Sequence, residues 1–209
     1  HGCEGRQNRH HLRTRILEDI ETPAGTLLAA TAQPGGDLHY VWTDSVHPPR
    51  LCTTSGHRPP EAEPEPPAAA RQQDVWVPTP AGPVHTLVTL PETATAADRP
   101  RPAVFLLHGG PFDAARDAYD ALVSVFVSIG CAVVRPNYRG SVGYGAAWRD
   151  DFGEGVGFTQ LADLAAVRRH LVDTGLVDPE RTAVCGQSWG GYLALLAAGF
   201  FPDWSTGHG

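Results

Sequence analysis

Two kinds of apolar patterning divide this chain. Between residues 14 and 53 the apolar positions fall in short runs, at 14–20, 26–32, 39–43 and 50–53. Turn-forming stretches separate them: Thr22-Pro23-Ala24-Gly25, Pro34-Gly35-Gly36-Asp37 and Pro48-Pro49. Runs punctuated in this way predict β-strands. Four strands over about 40 residues have the size of one propeller blade, which needs neighbours to bury both faces. An irregular hairpin extension is the other reading.

From residue 75 onward strand and helix patterns alternate. Residues 75–78 and 84–90 flank Pro80-Ala81-Gly82-Pro83 and predict a hairpin. Residues 103–107 form an unbroken apolar run, as a buried parallel strand requires. A helix is predicted over 117–129, with Leu122, Val125, Phe126 and Ile129 on one face and Gly130 ending it. A strand at 131–134 follows, then a helix at 160–172 with Leu161, Leu164, Ala165 and Leu171 on one side. Asp178-Pro179 resembles the N-cap and first residue of a short helical turn. A strand at 182–185 and a helix at 191–201 complete the series. The alternation predicts an α/β fold, a mostly parallel sheet covered on both faces.

Proline marks the boundary. Of 19 prolines, 13 fall between Pro48 and Pro102, most densely in Pro59-Pro60-Glu61-Ala62-Glu63-Pro64-Glu65-Pro66-Pro67. Such a stretch lacks the donors for regular pairing and reads as an extended linker. The expected organisation is a β-rich segment at 1–56, a linker at 57–73 and an α/β domain at 74–209.

Composition narrows the function classes. The net charge is −7 with no basic stripe, which argues against nucleic acid as a main partner. No run approaches the roughly 20 apolar residues of a membrane span. Residues 1–11 are polar and histidine-rich and carry no signal-peptide core. Cys3, Cys52, Cys131 and Cys185 show no zinc or redox spacing, and Cys131 and Cys185 read as buried thiols. A reduced, cytoplasmic protein fits this usage.

The chemistry concentrates in Gly186-Gln187-Ser188-Trp189-Gly190-Gly191. An apolar strand precedes this motif and an apolar helix follows, the context of a nucleophile elbow. Side chains at Gly186 and Gly190 would collide across such a turn. The turn lifts the Ser188 hydroxyl above the sheet edge, at a helix N-terminus that favours negative charge. The second motif, His108-Gly109-Gly110-Pro111, follows the strand at 103–107. In an α/β-hydrolase fold that loop supplies one oxyanion donor and the residue after the nucleophile the other. The candidates are the N–H groups of Gly110 and Trp189. His108, at a strand end within that loop, is expected to make a structural hydrogen bond and not to act as general base. The glycines of Pro136-Asn137-Tyr138-Arg139-Gly140-Ser141-Val142-Gly143-Tyr144-Gly145 and of Gly153, Gly155 and Gly157 fit no nucleotide fingerprint and read as loops.

In this order, His108-Gly109-Gly110-Pro111, Asn137-Tyr138-Arg139-Gly140-Ser141 with Gly143-Tyr144-Gly145, and the Ser188 motif through Tyr192 resemble the prolyl oligopeptidase family. The pattern is most similar to the branch containing acylaminoacyl peptidases. The resemblance covers roughly residues 75–204. It implies an α/β-hydrolase domain preceded by a β-propeller, of which the N-terminal strands would be a remnant. It further implies attack by Ser188 on the carbonyl of a short peptide, with no metal and no organic cofactor. Family members place an aspartate and then a histidine well downstream of the nucleophile. Only 21 residues follow Ser188 here, and neither Asp203 nor His208 matches those positions. The expectation is therefore a partial catalytic domain, inactive and marginally stable alone, with an unprotected strand edge at 182. An esterase or lipase of the same fold and a non-catalytic, truncated binding module are the competing readings. The native oligomer and the residue preference are not legible.

Overall fold

Val104 of one central strand stands opposite Val133 of the next, and Phe105 opposite Val134, in parallel register. They belong to a computed structural model that describes residues 6–11, 16–56, 70–92, 94–95, 98–153, 155–201 and 204. The chain forms two units, one of His1–Ala68 with Asp117–Asp120, the other of Ala69–Arg116 with Ala121–Gly209.

In the first unit β1 (Arg6–His11) pairs with β2 (Ile16–Glu21), setting Arg6 opposite Glu21. Strands β3 (Thr26–Ala32), β4 (Leu38–Thr43) and β5 (Arg50–Thr53) form a separate antiparallel sheet. The run expected at 14–20 is thus β2, and among the described residues it pairs with β1 and not with β3. Trp42 is buried, and its indole N–H donates to Pro23 O at 3.2 Å. The backbone at 117–120 is engaged in this unit: the Asp117 carboxylate accepts the Ser45 N–H at 2.9 Å, and the Tyr119 N–H donates to Thr43 Oγ1 at 3.1 Å.

Those bonds explain one correction. The helix expected over 117–129 begins only at Ala121, as α1 (Ala121–Ser128), after β6 (Ala70–Val77), β7 (Val84–Pro91) and β8 (Arg101–Leu107). Its buried face is also corrected. Val123 and Val127 point inward, whereas Leu122, Val125 and Ile129 are exposed. The helix is apolar almost all round, so periodicity could not choose its inner face. Gly130 ends it at φ 90°, its N–H donating to Val127 O at 3.0 Å.

The remaining elements are β9 (Ala132–Pro136), α2 (Ala146–Asp150), α3 (Phe158–Asp173), β10 (Val177–Gly186) and α4 (Trp189–Phe200). The sheet order is β10-β8-β9-β7-β6. Strands β10, β8 and β9 run parallel, and β9-β7-β6 pair antiparallel. Period-2 alternation along β9 sends Val133 to α1 and sends Ala132 and Val134 into the core with Leu161, Leu164, Val167, Leu193 and Ala197. Both faces are covered, which is why β8 and β9 read as unbroken apolar runs.

Asp178-Pro179 is a second correction. It lies inside β10, where the pairing register to β8 shifts between Val177 and Thr182. Proline is tolerated there because β10 is an edge strand of the described sheet. Cys131 and Cys185 are half-buried instead of buried, Cys185 because it lies on this edge strand. The stretch 57–69, together with Cys3, Asp203 and His208, lies outside the described residues. Among the described residues no helix is long and apolar enough to cross a membrane.

Candidate active site

The chain leaves β8 for β9 through α1, then returns past β8 to β10 through α3. The connections therefore diverge at β8, and the carboxyl ends of β8 and β10 lie side by side, with Gly186 opposite Leu107. Open α/β sheets place their ligand crevices at such points. Both sequence motifs fall here.

Ser188 sits between the end of β10 at Gly186 and the start of α4 at Trp189. Its backbone has φ 55° and ψ −119°, and it is the one non-glycine residue with positive φ among the described residues. Strain of that kind costs on the order of 1–3 kcal/mol and persists only when the surroundings enforce it. Here they do. A Cβ on Gly186 would lie 2.6 Å from the Gly190 carbonyl carbon and 2.8 Å from Leu107 O. One on Gly190 would lie 2.3 Å from Leu107 O and 2.7 Å from His108 O. A Cβ on Gly191 would be 3.1 Å from Gly186 O, close but tolerable. The elbow is thus pressed against the strand that carries the second motif. Ser188 is exposed, while Leu193 and Ala197 anchor α4 in the core.

Gly190 N–H donates to Gln187 O at 3.0 Å and Tyr192 N–H to Ser188 O at 3.0 Å. Among the described residues no hydrogen bond engages the N–H of Trp189 or of Gly110. Gly110 has φ 139°, and a Cβ there would lie 2.8 Å from Phe112 N. Phe112 is exposed and meets Phe152 edge-on at 5.8 Å.

His108 does not reach Ser188. Its Nδ1 donates to Gly109 O at 2.7 Å, and its Nε2 lies 2.9 Å from Ser141 Oγ. The ring stacks on Tyr138 at 4.3 Å, and Tyr138 OH donates to His108 O at 2.6 Å. Burial pushes the imidazole below its ordinary pKa, against the pull of the Gly109 carbonyl and of Asp113. The structural role expected of His108 is the one these contacts describe.

The loop after β9 clamps the loop after β8. Asn137 Oδ1 accepts the Ala115 N–H at 2.7 Å, and its Nδ2 donates to Ala115 O at 3.1 Å. Val142 N–H donates to Asp113 O at 3.0 Å. Arg139 holds this second loop in place. Its fork reaches Asp163 on α3 at 2.9 to 3.1 Å, and its backbone N–H donates to the same carboxylate at 2.9 Å. Asp163 is buried, which pushes its carboxyl up, while the Arg139 fork pulls it back. Asn137, Arg139 and Ser141 were legible as a motif. Asp163 was not, because nothing in a helical run marks which carboxylate a distant arginine will meet. A further cluster escaped the sequence reading. His85 Nε2 lies 2.8 Å from Asp74, its Nδ1 lies 2.6 Å from Tyr144 OH, and the Trp76 ring packs against it at 4.6 Å, tilted by 33°. Among the described residues no group of His, Cys, Asp and Glu is arranged to hold a metal ion.

Residues 118–204 match the model of the prolyl oligopeptidase family. The chain is 33% identical over 102 residues to the acylamino-acid-releasing enzyme of Arabidopsis thaliana, covering 49% of this chain and 13% of that enzyme. It is 36% identical over 124 residues to dipeptidyl aminopeptidase BIII of Pseudoxanthomonas mexicana, covering 56% of this chain and 18% of that one. The chain thus spans less than a fifth of these two relatives. Among solved structures, a puromycin-hydrolyzing peptidase of Mycobacterium tuberculosis superposes with a TM-score of 0.81 at 30% identity, over 96% of this chain and 33% of that one. With its three motifs in order at the ends of β8, β9 and β10, the chain is similar to the prolyl oligopeptidase family, whose model it matches over residues 118–204.

Proposed function

We propose that Ser188 is the nucleophile of a serine-type peptidase acting on short peptides. The observation that carries this reading is the enforced positive φ of Ser188 on a turn whose glycines abut the end of β8. Strain is retained at positions where function needs it. The relatives named above are peptidases, which favours a peptide over another acyl substrate.

In this reading Ser188 Oγ attacks the scissile carbonyl carbon as its proton passes to a base. The carbonyl π bond opens, and the charge moves to the oxygen. The N–H groups of Gly110 and Trp189 receive that oxyanion, and such donors are each worth about 10²–10³ in rate. Collapse expels the amine, which takes a proton, and leaves Ser188 acylated. Water then releases the acid. Both nitrogens of His108 are committed elsewhere, so His108 is not that base, and among the described residues no hydrogen bond joins Ser188 Oγ to a histidine. For the same reason the 209-residue chain by itself is expected to turn over very slowly.

The test uses a fluorophosphonate probe and peptide anilides on the full-length protein carrying this sequence. Labelling and hydrolysis that vanish in Ser188→Ala are expected. Activity surviving Ser188→Ala overturns the assignment. Turnover of p-nitrophenyl esters without any of anilides makes the protein an esterase of this fold.

A further inference from the structure

We infer that His108 is a positioning residue for the oxyanion donor, acting through the one peptide unit that joins Gly109 to Gly110. The inference rests on the nucleophile reading above and extends it to a residue that touches neither substrate nor Ser188.

The argument begins with the peptide itself. Gly109 O and the Gly110 N–H belong to the same planar group, and in a trans peptide they point in opposite directions. That bond is trans here, because the cis bonds among the described residues are Arg99–Pro100 and Gly110–Pro111. Gly109 O accepts from His108 Nδ1 at 2.7 Å. A carbonyl oxygen only accepts, so the ring proton sits on Nδ1. Holding the oxygen fixes the direction of the N–H at the other end. It also polarises the unit, which makes that N–H a stronger donor. Glycine at both positions leaves this peptide otherwise free to rotate.

The peptide lies beside the nucleophile. A Cβ on Gly109 would stand 3.7 Å from Gln187 O, the residue before Ser188. The Gly110 N–H is not engaged by any described residue, so the bond from His108 orients a donor that is still available.

The imidazole is in turn held on its other sides. Tyr138 stacks on it with an interplanar angle of 14°. Ser141 Oγ donates to Tyr138 O at 2.6 Å and lies 2.9 Å from Nε2. Tyr138 O also receives the Ser141 N–H at 3.0 Å and the Trp148 indole N–H at 3.1 Å. The serine is thus fixed by its own bond to Tyr138 O, and its oxygen stands beside Nε2 and limits rotation of the ring. Burial of the ring favours its neutral form.

Three variants of the full-length protein separate this role from mere support. His108→Asn places an amide N–H near the Nδ1 position and can keep the bond to Gly109 O. His108→Gln reaches only toward Ser141. His108→Ala makes neither bond. With peptide anilides, His108→Ala and His108→Gln are expected to lose at least about tenfold in kcat with KM nearly unchanged, less than the 10²–10³ of a deleted donor. His108→Asn is expected to recover most of that loss. Thermal melts confirm that each variant is folded at the assay temperature. Full kcat in His108→Ala, failure of His108→Asn to recover, or recovery by His108→Gln instead overturns the inference. Ser188→Ala is run beside them. If it stays active, the nucleophile reading has failed. If it is dead while His108→Ala is unimpaired, only the positioning role has failed.

Discussion

Gly190 lies so close to Leu107 that a single methyl on its Cα would stand 2.3 Å from the Leu107 carbonyl oxygen. The obstacle is backbone on a central strand, and it cannot swing aside. Gly190→Ala is therefore expected to displace the elbow. It should lower the melting temperature, in line with the roughly 1–3 kcal/mol of overpacking, and slow labelling of Ser188 at least tenfold (about 1.4 kcal/mol). Gly199, on the same helix with open space around it, is the control. Gly199→Ala should leave labelling unchanged and stabilise by about 0.5–1 kcal/mol. Equal effects from the two variants would sink the steric argument.

Asp163 is the hidden support of the site. Its side chain is 2% exposed and receives three contacts from the Arg139 fork and one from the Arg139 backbone. Removing one partner of a buried pair and leaving the other charge alone costs about 3–5 kcal/mol, and because Arg139 keeps Asp151 at 3.3 Å the loss should lie at the low end of that range. Asp163→Ala is expected to lose that much in denaturant unfolding. A loss under about 1 kcal/mol would mean that the pair behaves like an exposed one.

Tyr144 supplies a pH dependence. Burial is the largest influence on its phenol, which is pushed up to about 12 from an ordinary value of 10.0. Below pH 10 both the folded and the unfolded chain carry the neutral phenol, and stability is undiminished. Above pH 10 the unfolded chain ionises first, so stability falls as pH rises toward 12. Melting temperatures between pH 9 and pH 12 should show this fall, and Tyr144→Phe should flatten it. An equally steep fall in the variant would assign the effect to other groups.

Strand β10 pairs with β8 on one side and has no described partner on the other. Leu195 on the adjoining α4 is 77% exposed. A strand edge beside apolar surface is a template for pairing with another chain. The 209-residue chain is expected to self-associate with concentration in sedimentation velocity. Ala183→Lys, a charge on an exposed position of that edge, should shift it toward monomer. A wild-type chain that stays monomeric at high concentration would contradict the prediction.

The turn at Ser188 could be read before any coordinates. Ser188, Gly186 and Gly190 sit in a short motif whose steric logic is local, and strand and helix patterns flank it. The pairing of His108 with Ser141, and of Arg139 with Asp163, was not readable. These partners are 33 and 24 residues apart, and no periodicity links them. The inner face of α1 was misread for a related reason. Where every position is apolar, the neighbour that covers a face decides which side is inner.

By itself the sequence determined what depends on neighbours along the chain: the alternation of elements, the elbow at Ser188 and the order of its motifs. The tertiary structure alone decided that Asp117–Asp120 leaves the predicted helix, that Pro179 sits in an edge strand, and that the loops after β8 and β9 lock through Asn137. The reason is the range of the forces involved. Steric strain and backbone propensity act over a few residues, so they are written into the local sequence. Burial and buried hydrogen bonds act between surfaces that only folding brings together.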